Sequence, residues 1–267
     1  MNGELTAANI RLNEILRRYS PLAIAVSGGV DSLTLATAAH RALPVAPLVV
    51  HALSPAVPVA ATARVRELAQ QEGWNLRQIA AGEFADPDYR ANPYNRCYFC
   101  KANLYRAIAS ITEWQIASGA NLDDLSDYRP GLQAASERHI VHPFIDAGID
   151  KATIRQLARV YDLRYFDLPA QPCLASRVET GIPIQANDMI FIDGLESELR
   201  QTLGRLSTIR VRIRPSGVYV ELDEILNQRT IPALEEKARH FCDRAGYQFM
   251  AITPYRRGSA FVNIELA

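Results

Sequence analysis

The chain has 267 residues, with 29 Lys plus Arg against 29 Asp plus Glu and a formal net charge of zero at pH 7. That length suffices for one large or two ordinary domains with real cores, and the balanced charge removes any global electrostatic case for a nucleic-acid partner or an acidic membrane surface. No apolar run approaches the roughly 20 residues that cross a bilayer, and residues Met1 to Arg18, carrying Glu4 and Glu14, lack the apolar stretch of a signal peptide, so a soluble, cytoplasmic protein is expected.

Taken in order, Ala7, Ile10, Leu12, Ile15 and Leu16 recur at near-helical spacing and predict a helix over 6–19. Leu22 to Val26 reads as a buried strand, followed by a small polar loop and a helix from Leu33 to Ala42. Ala46 to Leu53 is a second strand, Ala60 to Glu72 a helix stopped by Gly73, and Trp74 to Ala80 a third strand. This alternation predicts an α/β fold, a Rossmann-like parallel sheet with helices on both faces, whose ligands lie beyond the carboxyl ends of the strands. Residues 82–96 are rich in Pro, Gly and Asn and read as a loop that delivers Cys97-Tyr98-Phe99-Cys100 ahead of a helix from Lys101 to Ser110. Glu113 to Ser118 is a fourth strand running into Gly119-Ala120-Asn121. Tyr128 to Gly131 reads as a turn, and Asp150 as the N-cap of a helix to Tyr161. From about residue 185 the character changes. An amphipathic helix from Asp188 to Leu203 precedes an alternating, half-buried strand from Thr208 to Arg214, a returning strand from Val218 to Leu222, a helix from Pro232 to Ala245 and a final strand from Phe261 to Leu266. Two domains are expected, 1–184 and a small α+β unit over 185–267.

Two groups of residues carry candidate chemistry. In Ser27-Gly28-Gly29-Val30-Asp31-Ser32, the glycines remove the Cβ atoms that would hold a phosphate away from backbone N–H groups at a helix N-terminus, and both serines can add hydroxyl donors. The loop lacks the lysine of a Walker A motif and the spaced glycines of the dinucleotide fingerprint. The second group is Cys97, Cys100 and Cys173. Their spacing suits a redox pair, part of a zinc site completed by His51, His139 or His142, a 4Fe–4S cluster with one iron left open, or simple packing. Cys242, beside Phe241 and Ala238, reads as core.

The loop resembles the S-G-G-x-D-S signature of the PP-loop ATP pyrophosphatases, which cleave ATP between the α and β phosphates. Together with Asn95 to Lys101, Gly119-Ala120-Asn121 with Asp124, Asp127 to Gly131 and Pro172-Cys173-Leu174-Ala175-Ser176-Arg177, it resembles the LarE family over nearly the whole chain. That resemblance implies an adenine nucleotide alpha hydrolase-like fold and an ATP-dependent sulfur transferase. Such an enzyme adenylates a carboxylate of pyridinium-3,5-biscarboxylic acid mononucleotide and converts it to a thiocarboxylate during synthesis of the nickel-pincer nucleotide cofactor. In one branch of the family a single cysteine of the P-C-L-A-S-R segment gives up its sulfur; in the other, three cysteines hold a 4Fe–4S cluster carrying an extra sulfide. With Cys97, Cys100 and Cys173 all present, this chain resembles the cluster branch. The resemblance further implies a homo-oligomer.

On the chemistry, transfer to AMP turns a carboxylate into a mixed anhydride with a good leaving group, which a soft sulfur nucleophile can attack. Asp31 and Asp124 are candidate Mg²⁺ ligands, Asn121 and Ser176 candidate nucleotide or substrate contacts, and Arg177 and Lys101 candidate cations beside the acyl phosphate. Arg210, Arg212 and Arg214 share one strand face, and arginine forks match phosphate. The resemblance implies that Arg210 and Arg212 hold the substrate's mononucleotide phosphate, with Glu198 or Glu196 nearby. Rival readings are another PP-loop enzyme, a tRNA thiolase or an amide synthetase, and a module that senses ATP or redox state without turnover.

Overall fold

The computed structural model describes residues 3–126, 129–203, 208–223, 230–256 and 258–261. The chain forms two compact units, Met1–Glu83 with Cys97–Gln171, and Phe84–Arg96 with Pro172–Ala267. The elements to residue 118 are α1 (Gly3–Tyr19), β1 (Leu22–Val26), α2 (Val30–Ala42), β2 (Leu48–Leu53), α3 (Val59–Glu72), β3 (Asn75–Ala80), α4 (Pro87–Arg90), α5 (Arg96–Ala109) and β4 (Gln115–Ser118). Beyond it come α6 (Pro130–Ser136), α7 (Pro143–Asp146), α8 (Lys151–Val160), α9 (Ala186–Leu203), β5 (Ile209–Arg214), β6 (Gly217–Leu222), α10 (Thr230–Ala245) and β7 (Phe249–Pro254).

In the first unit the strands pair in the order β3-β2-β1-β4, all parallel, with Ala25 of β1 opposite both Val50 and Ser118. Every residue of β1 is buried, as its unbroken apolar run requires of a strand covered on both faces. Leu22, Ile24 and Val26 point to one core with Leu12, Leu16, Leu33, Leu35, Ile154 and Leu157. Ala23 and Ala25 point to the other, with Leu48, Val50, Tyr105 and Ile108. Each large aliphatic side chain so buried contributes about 1.5–3 kcal/mol of transfer free energy. The chain runs outward from β1 through β2 to β3 and then returns to place β4 on the far side of β1. The carboxyl ends of β1 and β4 therefore flank the topological switch point, where such sheets bind ligands.

In the second unit β5 and β6 are antiparallel and β7 pairs parallel to β6, giving the order β5-β6-β7. Helix α9 packs on β5, and α10 on β7 and α9. Gly194 permits the close approach of the two helices, since a Cβ there would lie 3.0 Å from the Phe241 ring. Cys242 is fully buried, as its apolar neighbours suggest, and burial pushes its thiol up to about 11.

Several expectations are revised. The boundary lies at Gln171–Pro172 rather than near residue 184, and the loop segment 84–96 belongs to the second unit. Backbone pairing explains both shifts: Gly181 N donates to Asn92 O at 3.0 Å and Ile184 N to Arg90 O at 2.8 Å, while Asn92 Nδ2 reaches the carbonyls of Glu179 and Ile182, each at 2.9 Å. Helix α5 begins at Arg96 rather than Lys101, because the turn that Arg96 N makes with Pro93 O at 3.0 Å already starts the coil. The C-x-x-C pair therefore sits on a helix, not in a loop. Pro130 opens α6 where a turn to Gly131 is expected; Asp127 and Tyr128 lie outside the described residues. Strand β5 is not half-buried, since five of its six residues are buried. The six-residue strand β7 is unanticipated; it occupies the sheet edge, where its closing Pro254 is tolerated. Of the strand expected over 261–266, only Phe261 is among the described residues.

Candidate functional site

Beyond Val26 the chain turns into α2 through Ser27, Gly28 and Gly29. Gly28 has φ +80°, and a Cβ on it would lie 2.6 Å from the Ala61 carbonyl oxygen of α3, so both backbone and space demand glycine. Gly29 caps α2, and the first intrahelical bond is Leu33 N to Gly29 O at 3.1 Å. The N–H groups of Val30, Asp31 and Ser32 precede that bond and turn toward the carboxyl edge of the sheet, the arrangement that receives an anion. Ser32 Oγ accepts from Ser27 N at 3.1 Å, donates to Gly29 O at 3.1 Å and lies 3.2 Å from Ser27 Oγ, so the two hydroxyls brace the loop.

Two further side chains, neither singled out by the sequence, hold this loop. Arg64, one helical turn after Ala61 and 8% exposed, donates Nε to Gly28 O at 3.0 Å and a terminal nitrogen to Gln171 Oε1 at 2.8 Å. Lys151, the first residue of α8, places Nζ 2.5 Å from both carboxylate oxygens of Asp31. Burial above all, with the nearby Asp124 charge, leaves the Asp31 carboxyl raised above its ordinary value although the Lys151 ammonium pulls it down.

The end of β4 closes against the loop. A Cβ on Gly119 would lie 2.9 Å from Ser32 N, so only glycine allows this approach. It brings Asn121 Nδ2 to 3.3 Å from Asp31 Oδ2. Asn121 also caps the turn over Leu122–Leu125, accepting from Asp123 N at 3.1 Å, while its own N–H donates to Asp124 Oδ2 at 3.1 Å. Arg129 pairs with Asp124 Oδ1 at 2.9 Å. Ser27, Gly28, Gly29, Asp31, Ser32, Asn121 and Asp124 are thus gathered at one edge.

The histidines weighed as metal ligands are otherwise engaged or exposed. His51 is fully buried; its Nδ1–H donates to the Val26 carbonyl at 2.9 Å, so Nε2 accepts from the Thr62 hydroxyl at 2.9 Å. His142 Nδ1 meets Ser118 Oγ at 2.9 Å, and burial lowers the pKa of both rings. His139 is exposed with φ +54°. Cys97 and Cys100 are partly exposed, one turn apart on α5 in the first unit, and Lys101 Nζ lies 5.8 Å from the Tyr105 ring centroid. Cys173 is exposed and belongs to the second unit. Among the described residues, no three His, Cys, Asp or Glu side chains are grouped to hold a metal ion, and no helix is long and apolar enough to cross a membrane.

In the second unit Cys173 precedes a short 3-10 turn, Leu174–Arg177. Arg177 is 2% exposed and grips Glu196 with two nitrogens at 2.9 and 3.1 Å. Its third nitrogen donates to the carbonyls of Pro172 at 2.6 Å and Cys173 at 3.1 Å. Burial opposes its charge, Glu196 supports it, and the net effect raises its pKa. Glu196 Oε1 also accepts Val211 N at 3.1 Å, so one ion pair fixes the Cys173 turn to α9 and β5. Arg212 pairs with Glu221 at 2.8 Å and donates to Ser176 O at 2.9 Å. Burial, and then the neighbouring Arg177, push the pKa of Arg210 down. Arg177, Arg210 and Arg212 are therefore buried near one another, with Glu196 and Glu221 neutralising two of the three charges and the partly exposed Ser176 alongside. Glu198 is not part of this group: two residues beyond Glu196 it faces the other side of α9 and pairs with Lys237 at 3.1 Å.

No family model matches the chain. It is 37% identical over 203 residues to the uncharacterized protein slr1717 of Synechocystis, covering 74% of this chain and 75% of that one. It is 29% identical over 224 residues to the uncharacterized protein MJ0830 of Methanocaldococcus jannaschii, covering 82% and 84%. More distantly, it is 26% identical over 165 residues to the pyridinium-3,5-bisthiocarboxylic acid mononucleotide synthase of Lactiplantibacillus plantarum, covering 60% and 59%.

Proposed function

We propose that this chain, which belongs to one family with the Synechocystis protein slr1717, is an ATP-dependent sulfur transferase of the LarE type. The observation that carries the proposal is the braced Ser27–Ser32 loop at the switch point between β1 and β4, with Asn121 against Asp31. The distant likeness to a bisthiocarboxylic acid mononucleotide synthase supplies the substrate class.

In this reading the ATP phosphates lie on the N–H groups at the start of α2, with Ser27 and Ser32 adding donors. Asp31 and Asp124 serve the Mg²⁺ that accompanies the nucleotide. A carboxylate oxygen of pyridinium-3,5-biscarboxylic acid mononucleotide attacks the α phosphorus. The bond from that phosphorus to the α–β bridging oxygen breaks, and pyrophosphate leaves with the electron pair, its charge met by the loop donors. Sulfur then replaces AMP at the acyl carbon. Arg210 and Arg212, with Ser176 beside them, are assigned to the substrate's phosphate. Cys97, Cys100 and Cys173, all at least partly exposed where Cys242 is buried, are assigned to a 4Fe–4S cluster on the soft-ligand chemistry of their thiolates alone. Such a cluster, when bound, supplies the sulfide.

The test is to incubate the protein with Mg²⁺, ATP and the biscarboxylate mononucleotide. Pyrophosphate is expected only when the mononucleotide is present, and addition of sulfide should release AMP and yield a thiocarboxylate by mass. Absence of substrate-dependent pyrophosphate would overturn the proposal.

A further inference from the structure

Resting on that nucleotide reading, we propose that Lys151 is a resident counter-cation that makes metal binding at Asp31 conditional on the nucleotide. Its ammonium lies 2.5 Å from both carboxylate oxygens of Asp31, so it takes the lone pairs that a divalent cation facing that carboxylate requires. The backbone under it is fixed. Asp150 caps α8 by accepting Thr153 N at 2.8 Å, and the N–H of Lys151 donates to Asp123 Oδ2 at 2.7 Å. Movement is therefore left to the flexible four-carbon stem. The pair is open to exchange, because the side chains of Lys151 and Asp31 are 36% and 22% exposed.

An ammonium astride both oxygens leaves a divalent ion only their outer lone pairs and repels it at close range. A divalent ion arriving alone must displace the ammonium and strand it beside Asp31. An ion arriving with a polyphosphate brings a second anion for the ammonium to take, so Asp31 can pass to the metal while Lys151 passes to the phosphates. Metal and nucleotide then bind with positive coupling, each raising the affinity for the other by the same factor. Lys151 acts through Asp31 and is a positioning residue by this argument.

The experiment is titration of Mn²⁺ followed by electron paramagnetic resonance, with and without a non-hydrolysable ATP analogue. Wild-type protein should bind Mn²⁺ weakly alone and more tightly with the analogue. Lys151→Met should bind nucleotide-free Mn²⁺ more tightly than wild type by about tenfold, with the effect of the analogue reduced. Lys151→Arg, which keeps the charge, should follow wild type. Adding Asp31→Asn to Lys151→Met should abolish the gain, locating it at that carboxylate. Equal nucleotide-free affinity in Lys151→Met and wild type would overturn the proposal. Lys151→Gln is a second neutral variant, checked with the first by circular dichroism; loss of the fold in both would make Lys151 a structural residue and would equally overturn it. The nucleotide-free titration needs no sulfur-accepting substrate. If exchange is observed while the biscarboxylate mononucleotide elicits no pyrophosphate, only the functional proposal falls.

Discussion

Glu196→Gln should destabilise the second unit while leaving the stability of the first unchanged. The substitution keeps the shape of the side chain and an oxygen for Val211 N, and removes only the charge. Arg177, 2% exposed and held by both Glu196 oxygens at 2.9 and 3.1 Å, is then a buried cation without its carboxylate. Breaking such a pair from one side costs about 3–5 kcal/mol, against a total of about 5–15 kcal/mol for a typical domain. With a urea slope near 2 kcal/mol/M, the midpoint should fall by about 1.5–2.5 M. Both tryptophans of the chain, Trp74 and Trp114, lie in the first unit. The early transition should therefore appear in far-ultraviolet circular dichroism and be nearly silent in tryptophan emission, so that the two probes no longer coincide. Glu198→Gln is the control: its exposed pair with Lys237 is worth less than about 1 kcal/mol. The reasoning fails if Glu196→Gln shifts the midpoint no further than Glu198→Gln, or if tryptophan emission follows the early transition.

Gly28→Ala should lower the melting temperature and weaken binding of an ATP analogue measured by calorimetry. The residue's φ of +80° costs alanine about 1–2 kcal/mol and its Cβ meets the Ala61 carbonyl, whereas Gly29→Ala, with a nearest contact of 3.5 Å, should retain the wild-type melting temperature. First-unit stability, read by tryptophan emission, should decline as pH falls. His51 and His142 have folded pKa values depressed by burial, so their contribution is complete above the unfolded value of about 6.5 and is lost as pH drops through the folded ones. Replacing both with Gln should flatten that slope. Anaerobically prepared protein should be brown with broad visible absorption; Cys97→Ala should remove the colour and Cys242→Ala should not. Equal spectra in wild type and Cys97→Ala would remove that cysteine from the proposed donor set.

The alternation of apolar runs and helical spacings announces the parallel sheet because β1 and its neighbours are buried on both faces and carry no competing polar signal. The shape of the Ser27–Ser32 loop is equally legible, since its glycines answer to local backbone geometry. Lys151 escapes because its partner Asp31 lies 120 positions away, and nothing in the composition around Asp150 marks the contact. Arg64 escapes for the same reason: its acceptor is a backbone oxygen that no pattern encodes. The arginines of β5 mislead more actively. Alternation with Ile209, Val211 and Ile213 reads as a wet face, yet Arg210 and Arg212 are 8% and 4% exposed. The carboxylate of Glu221 that makes Arg212's burial possible belongs to another strand. Arg177, read as a cation for the reacting centre, spends its hydrogen bonds on Glu196 and the carbonyls of Pro172 and Cys173.

The path of the chain through its two units has a consequence for synthesis. Residues 84–96 emerge from the ribosome before Cys97–Gln171, yet their partners at Glu179, Gly181, Ile182 and Ile184 come only afterwards. The nascent sheet can complete β4 while this stretch waits, its polar backbone met by water or a chaperone. The second unit closes only once its later portion is translated. An arrest of translation just before Pro172 would strand that segment, and fragment expression that ends there should yield a first unit with a protease-sensitive loop.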